Sequence, residues 1–174
     1  MTGDKPEPIL KVAERASDYD AFAGLCREYV DACRARYQDM PWFFEAVFGH
    51  QELDEELKAL ASKYGPPKGR AIIAFAGGEA IAGGAYTKLS EGVCEMKRLY
   101  VADRARGLGL GRRLTDALLA SARANGYRAI RLDTADRLTE AISMYGKMGF
   151  EPVPPYRRYP ARLAPHLLFM EKAL

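Results

Sequence analysis

Apolar positions along the chain follow two periods, and the switches between them predict the order of elements. From Pro8 to Glu14 (PILKVAE) apolar and polar residues alternate, as in a strand with one covered face. Phe22, Leu25, Cys26, Tyr29, Val30 and Cys33 then recur every three or four residues, which places them on one face of a helix. Ser17, with Asp20 three residues later, predicts the capped start of that helix, and Phe22 and Tyr29 read as its core aromatics. The stretch between Arg36 and His50 is aromatic-rich, carries the only Trp and is broken by Pro41. It predicts simple edge packing as a partly buried loop, or a lid over the substrate end of a cleft. Gln51 to Tyr64 predicts a second helix with Leu53, Leu57, Leu60 and Ala61 inward, ended by Gly65-Pro66-Pro67.

A strand signal follows. Ala71 to Ala76, the pair Gly77-Gly78, and Glu79 to Leu89 predict a hairpin, because a Gly-Gly turn accepts the positive φ values a tight connection requires. Gly83-Gly84 inside its second strand predicts a bulge or a close backbone neighbour. Ser90-Glu91-Gly92 turns the chain into Val93 to Val101, so three strands should be antiparallel neighbours. A third helix runs from about Gly109 to Ala124 and stops at Asn125-Gly126. Ala129 to Thr134 is the next strand, expected parallel to Val93 to Val101 through a right-handed crossover. Thr139 to Met148 predicts a fourth helix, and Glu151 to Tyr156 and Leu167 to Lys172 predict strands on either side of a Pro- and Arg-rich segment. No internal repeat is visible.

Composition narrows the class. At 174 residues, with 48% hydrophobic and 28% charged residues, the chain suits one globular domain, taken as 1–174. Lys plus Arg at 26 against Asp plus Glu at 23 is too even a balance to imply a nucleic-acid partner. The start of the chain lacks a secretory apolar core and no run is long enough to span a bilayer, so a cytoplasmic protein without a membrane partner is expected. Cys26, Cys33 and Cys94 lack metal-type spacing and read as buried free thiols, and with two histidines no metal site is expected.

The chemistry concentrates at Arg106-Gly107-Leu108-Gly109-Leu110-Gly111, between a strand and a helix. The glycines allow a ligand close to the backbone, and a helix start presents free N–H groups and the positive end of its dipole, which suits phosphate oxygens. Arg104, Arg106, Arg112 and Arg113 add positive charge. A Walker loop would need Gly-Lys-Ser/Thr, whereas Gly111 precedes Arg112-Arg113. A dinucleotide fingerprint would need glycine where Arg112 stands. A polyphosphate site of another kind is indicated, against the plainer alternative of a connecting glycine turn.

Arg106-x-x-Gly109-x-Gly111, after the strand ending Lys97-Arg98-Leu99-Tyr100-Val101, resembles the acyl-CoA pyrophosphate loop of the GNAT superfamily of N-acetyltransferases. Ala141-x-x-x-Tyr145-x-Lys147-x-Gly149-Phe150 resembles that family's later helix and the Gly-Phe after it. The resemblance implies a mixed α/β fold: a mostly antiparallel, twisted sheet of six to seven strands, about four helices, and one parallel pair at the cofactor cleft. It implies acetyl-CoA as the cofactor, held by the backbones of Leu99 and Val101 along its pantetheine arm, by Gly107, Leu108, Gly109, Gly111 and Arg112 at its pyrophosphate, and by the Arg106 side chain. It also implies that Tyr145 protonates the departing sulfur. The family often has an asparagine seven residues before that tyrosine, where this chain has Leu138.

Acetyl transfer to an amine requires the two reactants to be held together, a proton removed from nitrogen and one returned to sulfur. Glu95 is the candidate base, because alternation with Met96 can turn it into the cleft, against the alternative of an ion-paired carboxylate. Phe43, Phe44, Tyr86, Tyr156, Arg157, Arg158 and Tyr159 are candidate selectivity residues. Their cations suit a small-molecule amine that also bears a carboxylate, an amino acid or analogue. An inactive acyl-CoA-binding module is the competing reading, and exposed strand edges would permit a homodimer.

Overall fold

Short turns decide which strands meet. In the computed structural model, which describes residues 6–174 without the side chains of residues 50–52, seven strands form one sheet in the order β1-β2-β3-β4-β5-β7-β6. They are β1 (Ile9–Val12), β2 (Arg70–Ala76), β3 (Glu79–Ser90), β4 (Val93–Val101), β5 (Ala129–Ala135), β6 (Glu151–Pro152) and β7 (Leu167–Ala173). The Gly77-Gly78 turn between β2 and β3 has φ of 58° and 83°, the left-handed values such a hairpin needs. Every neighbouring pair is antiparallel except β4 and β5, which the crossover helix joins in parallel.

Six α-helices occur among the described residues: α1 (Ala16–Arg36), α2 (Pro41–Phe48), α3 (His50–Lys58), α4 (Leu60–Tyr64), α5 (Leu110–Ala124) and α6 (Thr139–Lys147). Alternation along β2 splits the core between the two faces of the sheet. Ala71 and Ile73 pack with Phe22, Leu25 and Cys26 of α1, whereas Ile72 and Ala74 join the cluster that holds Leu114 and Leu118 of α5 and Tyr145 of α6. The Gly83-Gly84 pair lets both helices press in. A Cβ at Gly83 would lie 3.1 Å from Phe22 and Leu25, and one at Gly84 would lie 2.9 Å from Leu99 and 3.0 Å from Leu118.

Four local expectations are corrected. The cap of α1 is Asp18, whose carboxylate accepts the N–H groups of Glu14 and Arg15 at 3.0 Å each, in place of Ser17 and Asp20. The aromatic stretch contains a helix, α2, because Pro41 at its start pre-sets a helical φ and gives up a donor that would be free there anyway. The helix expected over 51–64 breaks at Ala59, whose N–H bonds the Glu56 carbonyl three residues back and tightens the last turn of α3. Strand β6 keeps only two residues. Pro154 and Pro155 have no N–H to donate, so the segment leaves the sheet after Val153 and folds across its face.

Candidate active site

The parallel pair is zipped for three rungs, Val93 to Ala129, Cys94 to Ile130 and Glu95 to Arg131, and then splays. Beyond Glu95 the β5-facing edge of β4 has no strand partner. Backbone groups alternate between the edges of a strand, and the Ala102 N–H bonds Ile81 on the β3 side. Those of Leu99 and Val101 therefore face the open edge.

Beyond this edge, the N–H groups of Gly107, Leu108, Gly109, Leu110, Gly111 and Arg112 have no protein acceptor among the described residues; the first helical bond runs from the Arg113 N–H to the Gly109 carbonyl at 3.1 Å. Gly107 and Gly109 take φ of 80° and 67°, and nothing lies within 4 Å of a Cβ built on either. Six consecutive donors around open space, at a helix start, fit the diphosphate of coenzyme A. Of the four loop arginines, Arg106 and Arg112 are exposed and pair weakly with Asp103 and Asp116. Arg104 turns away to Glu28, Glu79 and the Ala80 carbonyl, and Arg113 to the Pro8 carbonyl.

A cavity of about 900 Å³ runs from this edge through the splay to the far face of the sheet. Tyr145, Leu138 and Gly111 line the end beside the glycine loop. The Tyr145 ring is buried against Phe150, and burial pushes its hydroxyl well above the ordinary value of 10.0, so it stays protonated at neutral pH. That hydroxyl makes no hydrogen bond among the described residues and is not an orphaned buried atom, so its oxygen opens on the cavity.

The far end is built from charges in register. Lys97 of β4 reaches across the fork to Asp133 of β5 at 2.6 Å, and the Tyr159 hydroxyl donates to the same carboxylate at 2.6 Å. Burial alone would push the Asp133 carboxyl up, but Lys97 and Tyr159 outweigh it and hold it below the ordinary range. One layer below, Glu95 is 1% exposed, accepts from the Tyr156 hydroxyl at 3.0 Å and from Arg157, and lies 3.1 Å from Lys97. The folded-over segment supplies these tyrosines and Arg157, with Tyr156 and Tyr159 packed on Phe169, and it reaches α2 through Arg162 over Trp42.

Of the candidate selectivity residues, Phe43, Arg157 and Tyr159 line the cavity. Phe44 packs with Val30 and Cys33 in the core, and Tyr86 lies on the opposite face, bonded to Ser121. Arg158 is exposed and Tyr156 sits on Glu95 outside the lining. Sequence reasoning passed over Lys97 and Asp133. The signal for both was the alternation that places Lys97 on the face of Glu95, and Asp133 on the face of Arg131.

Residues 33–150 match the acetyltransferase (GNAT) family. The chain belongs to that family. It is 32% identical over 169 residues to an uncharacterised N-acetyltransferase of Schizosaccharomyces pombe, covering 95% of each chain. In fold it matches an acetyltransferase from Streptococcus agalactiae, at 17% identity with a TM-score of 0.75, over 96% of this chain and 98% of that one. It also matches the PaiA N-acetyltransferase of Thermoplasma acidophilum, solved with coenzyme A, at 16% identity and a TM-score of 0.67, over 95% and 99%. This GNAT chain is an acetyl-CoA-dependent acetyltransferase, and its sheet and single parallel pair are those the resemblance implied.

Proposed function

We propose that this enzyme moves the acetyl group of acetyl-CoA to the primary amine of a small molecule that also carries a carboxylate, an amino acid or analogue, by direct attack in a ternary complex. The observation that carries this reading is one continuous cavity with unpaired backbone donors at one end and a charge-balanced set, Lys97 and Arg157 with Asp133 and Glu95, at the other. Acetyl-CoA supplies a thioester whose thiolate leaves readily. The chain's residues do the rest. Leu99 and Val101 offer their free backbone edge to the pantetheine arm. The N–H groups from Gly107 to Arg112 take the pyrophosphate, with Arg106 beside them. Tyr145 holds a proton on its phenol oxygen for the sulfur side.

Arg157 lines the cavity and uses one nitrogen on Glu95, which leaves guanidinium donors for an acceptor carboxylate. Asp133, which lines the cavity beside Lys97 and Tyr159, draws the ammonium, and its proton leaves through water. Glu95, expected to be the base, is covered by Tyr156 and Arg157, so in this reading it holds Arg157 in place. Release of free thiol from acetyl-CoA, measured with amino acids and with their amides, tests the assignment. Free acids should turn over faster. Equal rates would remove the carboxylate argument, and coenzyme A uptake without thiol release for any amine would make the chain an acyl-CoA-binding module.

A further inference from the structure

Among the described residues, Arg98 is the one non-glycine position with a left-handed backbone, at φ 57°. It stands where β4 sets two residues, Arg98 and Leu99, against the single β3 residue Gly84, between the pairs Lys97–Ala85 and Tyr100–Gly83, so it belongs to a bulge. An L side chain is strained there, and the chain places glycine at its other positive-φ sites. Arginine at this point therefore has a use for its side chain that offsets the strain.

That use is visible. Arg98 donates to Glu56 of α3 through Nε at 3.0 Å and Nη2 at 2.8 Å, a two-pronged pair 42 residues apart in sequence. The two side chains are only 15% and 12% exposed. Glu56 also accepts the Tyr64 hydroxyl at 2.8 Å and lies 3.1 Å from Lys63, and the guanidinium sits 5.5 Å from the Phe48 ring centroid. The bulge is thus keyed to α2, α3 and α4, immediately before Leu99 and Val101 turn their backbone groups to the open edge.

We infer that the Arg98–Glu56 pair is a brace that sets the direction of the Leu99–Val101 edge, so that coenzyme A affinity depends on two side chains that do not touch it. The inference rests on the reading above that this edge holds the pantetheine arm. Arg98 is a positioning residue. Arg98→Gly is the sharpest probe, because glycine accepts φ 57° and so removes the side chain without adding backbone strain.

The experiment measures coenzyme A binding by calorimetry, KM for acetyl-CoA and for the acceptor, and hydrogen exchange at the Ala102 amide, which donates to the Ile81 carbonyl at the end of this edge. Arg98→Gly and Glu56→Gln should each weaken coenzyme A about tenfold, raise KM for acetyl-CoA and leave KM for the acceptor unchanged. That amide should exchange faster, and Arg98→Lys should recover part of the affinity. A lowered melting temperature with coenzyme A affinity within about twofold of wild type would overturn the brace. So would a rise confined to the acceptor's KM, since both residues also line the cavity. If Arg98→Gly fails to fold, Glu56→Gln gives the same readouts. If the wild-type protein takes up no coenzyme A, the functional reading fails, and hydrogen exchange still decides the brace.

Discussion

At the scale of single residues, two carboxylates and one phenol divide the proposed chemistry, and each has a distinct signature. Tyr145→Phe should lower kcat about 10- to 100-fold while calorimetry gives an unchanged coenzyme A affinity; an unchanged rate would remove its acid role. Asp133→Asn should lower kcat, whereas Glu95→Gln should mainly raise KM for a carboxylate-bearing acceptor by releasing Arg157. The reverse pattern in initial-rate measurements would return the base to Glu95. Tyr145 was legible because its motif fixes its place on a helix. The burial of Glu95 was not, since Tyr156 and Arg157 reach it from 61 and 62 residues away. Alternation gives a side chain's face and says nothing of what covers that face.

At the scale of elements, the role proposed for the loop before α5 ties ligand affinity to backbone geometry, and a paired substitution separates the two. Gly109 at the start of α5 and Gly126 after its end both have positive φ, 67° and 83°, and neither would bring a Cβ within 4 Å of a neighbour. Alanine at either should therefore cost about 1 kcal/mol in denaturant unfolding. Only Gly109→Ala should also weaken coenzyme A in calorimetry, because only that glycine borders the unpaired donors. Equal coenzyme A affinity in the two variants would count against the loop as the cradle. Helix α5 and the β2–β3 hairpin could be read from period and turn chemistry alone. Helix α2 could not, because its aromatics pack with residues remote in sequence: Phe43 with Leu163 and His166, and Phe44 with Val30.

At the scale of the whole molecule, stability should respond to ligand and to acid. Coenzyme A at about 100 times its Kd adds ~2.7 kcal/mol to the folded state, which should raise the melting temperature by several degrees. A flat melting temperature would contradict cofactor binding. Burial would push the Glu56 carboxyl up, but the hydrogen bonds and charge of Arg98, with Lys63 and Tyr64, outweigh it and hold it at about 2, below its ordinary 4.5. A depressed carboxyl stabilises the fold above its unfolded value and loses that contribution as pH falls through the folded one. The loss, ~3 kcal/mol, should appear between about pH 4.5 and 2 in denaturant titrations, and Glu56→Gln should flatten it.

The sequence by itself determined the strand and helix order over most of the chain, the hairpin, the parallel crossover and the place of the glycine loop before α5, because period, turn residues and glycine spacing are local properties. Only the tertiary structure decided that Glu95 lies under Arg157, that Asp133 opens on the cavity and that Arg98 is keyed to Glu56. Each of those depends on groups far apart along the chain, which meet only where the sheet and the segments folded over it bring them together.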